Sequence, residues 1–168
     1  TPVVMASPSC YLDIGNSYAL EEAKAHGLPA YYCTNWDSDE EEILGALKNG
    51  FVGIKPYQNN SPSWIPAADV RIFDFLTPRQ LELMDRIGGI IMLHIPRALR
   101  LRDPINLHQM MEIDEKYPNA KVVIAHIGRA YVPEDLGNAF DTLKNSKHLY
   151  FDFSANCSKD AMEALFTN

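Results

Sequence analysis

The 168 residues carry 15 basic and 22 acidic side chains, a net charge of −7 and a pI near 5.1, a balance that argues against a nucleic-acid surface as the main purpose. Hydrophobic residues make up 46% of the chain, enough to bury one sizeable core in a single domain over residues 1–168, and no apolar run approaches the roughly 18 residues of a membrane span. Small molecules are the expected partners. Cys10, Cys33 and Cys157 are odd in number and lack Cys-x-x-Cys spacing, so a disulfide framework is not expected, a reducing, cytoplasmic setting is favoured, and each reads as buried filler.

Val3 to Ala6 is the first strand-like run, and a helix follows from about Ser17 to His26, stopped by Gly27. Ala30 to Cys33 is the second run. Ser38 with Glu41 three residues on reads as a capping box, Ile43, Leu44 and Leu47 supply the apolar stripe of the helix it opens, and Gly50 ends it. Phe51 to Lys55 is the third strand. The connection from Pro56 to Phe75 is long and irregular and leaves the C-terminal end of that strand, so it reads as a lid.

Thr77, Pro78 and Gln80 repeat the helix-start signal, with Leu81, Met84 and Ile87 as the buried stripe before Gly88-Gly89. Strand Ile90 to His94 follows, then a helix opened by Asp103-Pro104 and stopped at Tyr117-Pro118, then strand Lys121 to His126. Pro133 starts a helix containing Leu136, Phe140 and Leu143. Leu149 to Phe153 is the last strand, and Ser158 caps a final helix through Leu165. Ile90 to Leu93 and Val122 to Ala125 are continuous apolar runs, as expected of parallel strands covered on both faces. The pattern predicts an α/β fold of six units with parallel connections, whose strand ends open on one face.

Chemistry-bearing side chains fall at those ends. His94 and His126 close successive strands, each followed three residues on by an arginine, and neutral imidazole is the commonest protein ligand for zinc-like metals. Arg97 and Arg129 suit bidentate contact with a carboxylate, or else ion pairs with loop acids such as Asp103 or Glu134. Lys55 is unusual at the end of a buried strand, because an unpaired ammonium is costly to desolvate; it would hold a substrate anion or, carboxylated, bridge metals. Asp152 would orient a ligating histidine or face a helix outside the sheet. His26, His108 and His148 fall in helices or at the opposite strand ends and read as surface or structural.

The segments Gly50 to Tyr57, Met92 to Arg97, Ala125 to Arg129 and Tyr150 to Ser154 resemble the strands of amidohydrolase-related metal-dependent hydrolases, TIM (β/α)8-barrel enzymes that include lactonases and the aminocarboxymuconate semialdehyde decarboxylase type. The resemblance runs from about Val3 to Phe166. It implies a divalent metal, zinc above all, with His94 as a ligand and His126 as either a ligand or the general base acting on metal-activated water. It also implies that Lys55, Tyr57, Arg97 and Arg129 contact the substrate and that Asp152 supports the histidines. The reaction implied is hydrolysis of a small lactone, ester or amide; a nonoxidative decarboxylase on the same scaffold and a non-catalytic binding or assembly domain are the alternatives. The family's first strand carries His-any-His and its eighth an Asp, and neither pattern is present here. The expectation is therefore an incomplete barrel, about strands two to seven, that alone binds metal weakly, lacks appreciable activity and associates into oligomers.

Overall fold

Six parallel strands stand side by side in chain order in the computed structural model, which describes residues 2–7 and 11–168. They are β1 (Val4–Met5), β2 (Ala30–Thr34), β3 (Gly53–Pro56), β4 (Ile90–Leu93), β5 (Lys121–Ile124) and β6 (Leu149–Phe151). Each pairs only with its sequence neighbours: Val4 sits beside Ala30, Cys33 beside Lys55, Ile54 beside Ile91, Leu93 beside Ile124 and Ile124 beside Phe151. Crossover helices keep one hand, so each unit adds its strand next to the last and its helix on the same outer face. The result is an incomplete (β/α)8 barrel, α/β in class.

Alternation along the strands separates two layers. Ile54, Ile91, Leu93, Val122 and Ile124 turn outward into the main core, where they meet Leu81, Met84, Met110 and Ile113 of the helices. Ile54, Ile91, Leu93 and Ile124 are fully buried, and burial of each such side chain stabilises the fold by about 1.5–3 kcal/mol relative to exposure. The inward positions are those between them, Lys55, Met92 and Val123 in one row and His94, Ala125 and Asp152 in the next.

Helix punctuation follows the sequence with three corrections. The first helix runs Leu12–His26, starting five residues before the expected Ser17. Helix Glu40–Asn49 is capped by Asp39, whose carboxylate accepts from the Glu42 amide at 2.9 Å. Ser38, expected as the cap, lies one residue too early and donates instead to the Glu42 carboxylate at 2.7 Å. The helix expected from Pro133 is broken into short turns Pro133–Leu136 and Ala139–Leu143, because Gly137 between them adopts φ 49, ψ −129, outside the helical region. Elsewhere the signals hold. Gly50 and Gly88 end helices Glu40–Asn49 and Pro78–Ile87 in the left-handed conformation, Asp103 caps Pro104–Lys116, and Ser158 caps Lys159–Thr167.

The connection after Tyr57 is docked. Asn60 donates to the Thr34 carbonyl at 2.9 Å and accepts from the Trp36 amide at 3.1 Å, while Trp64 meets Trp36 edge to face at 5.5 Å. Farther along, Ile72 and Phe75 are fully buried and the Ile72 amide donates to Gln109 at 2.9 Å. Cys33 is buried, as expected, but Cys157 is exposed, which corrects its reading as filler; Cys10 lies outside the described residues. No helix among the described residues is long and apolar enough to cross a membrane.

Candidate active site

The inward rows open on a cavity of about 330 Å³ at the C-terminal strand ends, lined by Lys55, Tyr57, His94, His126 and Asp152, with Met5 and Met92 as apolar wall. Five of the seven side chains singled out from sequence therefore share one chamber. A larger groove of about 720 Å³ runs outside the barrel along Pro104–Lys116, but it contains a Lys116–Glu112 ion pair and is lined by none of the seven candidate side chains.

Lys55 is 3% exposed and among the described residues has no carboxylate at ion-pair distance; its ammonium lies 5.0 Å from the centre of the Tyr57 ring, a cation–π contact that compensates only part of the lost hydration. Burial lowers its pKa to about 8, with Cys33 and Asp152 opposing the shift. Tyr57 is pushed the other way by burial, to about 12, and stays a neutral phenol. Burial, reinforced by Lys55, Arg129 and His126, holds His94 down to about 3. His94 is thus a neutral imidazole at physiological pH, the form with a lone pair to donate.

His126 faces His94 edge to face with ring centres 5.7 Å apart. Its Nδ1 lies 2.6 Å from the Ser154 carbonyl oxygen, and because a carbonyl only accepts, Nδ1 carries the proton. Asp152 stands 3.6 Å from the same nitrogen and accepts from the Ser154 hydroxyl at 2.6 Å and from the Ser154 and His126 amides. Burial alone would raise the Asp152 pKa; these donors more than offset it, and the carboxyl lies below its ordinary value.

The arginines stand beside the chamber instead of lining it. Arg97 gives its Nε to both Asp103 oxygens at 3.0–3.1 Å, the loop ion pair that the sequence left open. Arg129 donates through Nη1 to the Ile95 and Arg97 carbonyls at 3.3 Å, so it braces the loop after β4.

Sequence patterning misses how the chain leaves β5. All six non-glycine residues with positive φ among the described residues, Arg97, Arg100, His126, Ile127, Arg129 and Ala155, lie in the loops after β4, β5 and β6. With Gly128 at φ 58, residues 126–129 form one left-handed turn. Each non-glycine residue held so costs roughly 1–2 kcal/mol, and such strain persists only where the surroundings over-determine it. Here Asn156, 5% exposed, donates to the His126 and Ala130 carbonyls, both at 3.0 Å. Neither Asn156 nor Ser154 carried any signal beyond being polar loop residues near a helix cap.

The donor chemistry of the chamber suits a divalent metal. His94 is neutral with an available lone pair, and His126, with Nδ1 committed to Ser154, presents Nε2; both rings line one cavity. Two imidazoles are fewer than the usual three protein ligands of a catalytic zinc, and the described residues contain no cluster of three His, Cys, Asp or Glu side chains placed for a metal.

No family sequence model matches the chain, and no curated protein matches it. Solved structures do match in backbone shape. A probable 2-pyrone-4,6-dicarboxylic acid hydrolase from Acinetobacter baumannii, with citric acid bound, aligns at a TM-score of 0.58 and 16% identity over 90% of this chain and 57% of that one. A 4-oxalomesaconate hydratase from Rhodopseudomonas palustris gives 0.61 and 18% over 94% and 54%, and an amidohydrolase II gives 0.56 and 17% over 92% and 60%. The chain spans just over half the length of these structures. The likeness is one of fold: six consecutive β/α units of a (β/α)8 barrel are present here.

Proposed function

We propose that this chain supplies the central part of the active site of a metal-dependent hydrolase acting on a small carbonyl compound that bears a carboxylate. The observation that carries the reading is the facing pair of imidazoles, His94 and His126, in one chamber with a buried lysine. His94 would hold a divalent ion, zinc in this reading, with further donors from outside the described His, Cys, Asp and Glu side chains, and His126 stands beside it as the general base. Such an ion supplies Lewis acidity, polarising a carbonyl and activating water near neutral pH.

The remaining roles belong to the chain's own residues. Lys55, protonated below about pH 8, binds the carboxylate of the substrate in a low-dielectric pocket where that contact is strong. Tyr57 covers the lysine and offers a phenol hydrogen bond. His126, with Nδ1 tethered to Ser154, has only Nε2 left to take a proton from water or return it to the leaving group. Asp152 favours the charged state of that ring as it forms. A carboxylate-bearing substrate is in keeping with the likeness to the probable 2-pyrone-4,6-dicarboxylic acid hydrolase of Acinetobacter baumannii, whose structure holds citric acid.

A panel of small lactones, esters and amides with and without carboxylates, given to the zinc-loaded product of the complete reading frame, tests the proposal. Water addition to the carboxylate-bearing members, lost on chelation, is the expected result. Carbon dioxide release without hydrolysis would assign the decarboxylase alternative, and no turnover with no zinc bound would leave a non-catalytic domain.

A further inference from the structure

Strand alternation places residue 126 on the wrong side of the sheet. Leu93 pairs with Ile124, so His94 is level with Ala125, and both point inward. An extended residue after Ala125 would follow Ile124 outward to the helices, since a one-residue step reverses the face. Yet His126 lines the cavity. It gets there because the backbone turns left-handed at φ 56 and stays so through Arg129 at φ 64.

A turn this unfavourable for His126, Ile127 and Arg129 needs fixed partners for its backbone. The Ile127 amide donates to the Asp152 carbonyl at 2.7 Å, and the His126 amide to the Asp152 carboxylate at 3.2 Å. The carbonyls at the two ends, His126 and Ala130, are both taken by the one side-chain amide of Asn156. Asn156 is fixed in turn, because its oxygen accepts from the Ser158 amide at 2.9 Å, the residue that caps the last helix.

We infer that Asn156 is a positioning residue: by clamping both ends of the left-handed turn it swings His126 out of strand phase into the cavity, where the Ser154 carbonyl fixes the Nδ1–H tautomer and leaves Nε2 as the working nitrogen. The purpose of that arrangement rests on the proposed role of His126, but the arrangement itself is measurable without metal or turnover. The seat of the imidazole is thereby tied to the start of helix Lys159–Thr167.

The test is ¹⁵N-edited NMR of the imidazole nitrogens in the metal-free chain, wild type against Asn156→Asp and Ser154→Ala. Asn156→Asp keeps the acceptor for Ser158 and removes both donors, whereas Ser154→Ala keeps the carbonyl. The expected result is a pure Nδ1–H tautomer for His126 in the wild type and in Ser154→Ala, and averaging toward the Nε2–H form in Asn156→Asp with amide dispersion retained. An Nε2–H tautomer in the wild type, or an unchanged tautomer in a folded Asn156→Asp, would overturn the inference. If Asn156→Asp does not fold, side-chain amide exchange of Asn156 in the wild type decides: protection of both protons supports the clamp and solvent-rate exchange refutes it. Loss of the metal reading would leave these outcomes untouched, so the two claims fail separately.

Discussion

His94 and His126 meet edge to face at 5.7 Å although they are one residue out of register across the β4–β5 pair. Regular alternation would place only one of them in the chamber. The pairing is produced by the left-handed turn after β5 and the side chains that hold it, which makes loop conformation, more than strand sequence, the determinant of the candidate site.

The two histidines are expected to differ in what their removal does. His94→Ala deletes a donor with no other hydrogen-bonding duty, so zinc affinity should fall by at least ~10-fold, since loss of even an orienting partner of a metal ligand costs 10–100-fold. His126→Ala should depress turnover of the complete enzyme more than metal occupancy. Isothermal titration with zinc, paired with elemental analysis after dialysis, measures both, and equal zinc content in wild type and His94→Ala would refute the assignment.

Lys55 gives a stability prediction with a definite sign. Its folded pKa of about 8 lies below the ordinary lysine value of 10.5, so between those values the unfolded chain binds more protons and stability rises with pH. The penalty is fully present below about pH 8 and relieved by about pH 10.5. Its size follows from the shift, on the order of 3 kcal/mol. Lys55→Met should therefore stabilise the fold at pH 7, with the gain over wild type shrinking toward pH 10. Urea midpoints of the two proteins at each pH provide the comparison, and a gain independent of pH would contradict it. In the complete enzyme, affinity for carboxylate substrates should fall as pH rises through about 8.

Much of the layout is legible in the sequence because it rests on local signals. Gly50 and Gly88 stop helices, Asp103 and Ser158 start them, and the unbroken apolar runs of β4 and β5 mark strands buried on both faces. Lys55 and His94 are legible for the same reason, standing at the C-terminal ends of strands, whereas the side of the sheet that Asp152 faces stays open until the register places it level with Ala125. What escapes is whatever depends on non-local partners. Arg97 stays open between a substrate carboxylate and Asp103 until the loop folds back on it, and His126 appears to end a strand when the strand stops at Ile124. Asn156 acquires meaning only through two carbonyls 26 and 30 residues away in the chain.

Gly128 should tolerate no side chain. It sits at φ 58, and a Cβ built there would lie 2.4 Å from Leu101 Cδ1 and 3.2 Å from Ile95 Cδ1, both in fully buried side chains. Left-handed strain and overpacking act together in Gly128→Ala, for an expected destabilisation of about 2–4 kcal/mol. Chemical denaturation monitors it. A loss below 1 kcal/mol, on the scale of an ordinary surface change, would mean that the turn relaxes more readily than its packing indicates.

The last prediction concerns association of the 168-residue chain. Among the described residues β1 pairs only with β2 and β6 only with β5, so each outer strand presents unpaired backbone groups, the usual template for joining another chain. Aromatic and aliphatic surface lies near both: Tyr150 is 56%, Phe153 55% and Phe166 73% exposed by β6, and Tyr11 and Ile14 are 85% and 69% exposed on the helix after β1. Because the sheet is all parallel, β6 of one copy can continue onto β1 of the next in the existing strand order, a head-to-tail contact that does not close on two subunits. Sedimentation velocity should accordingly show concentration-dependent species larger than a dimer, reduced in Phe153→Ser/Phe166→Ser, which removes apolar area at one edge and leaves the outward core of β6 intact. A monodisperse monomer across the micromolar range would show that the outer strands are protected.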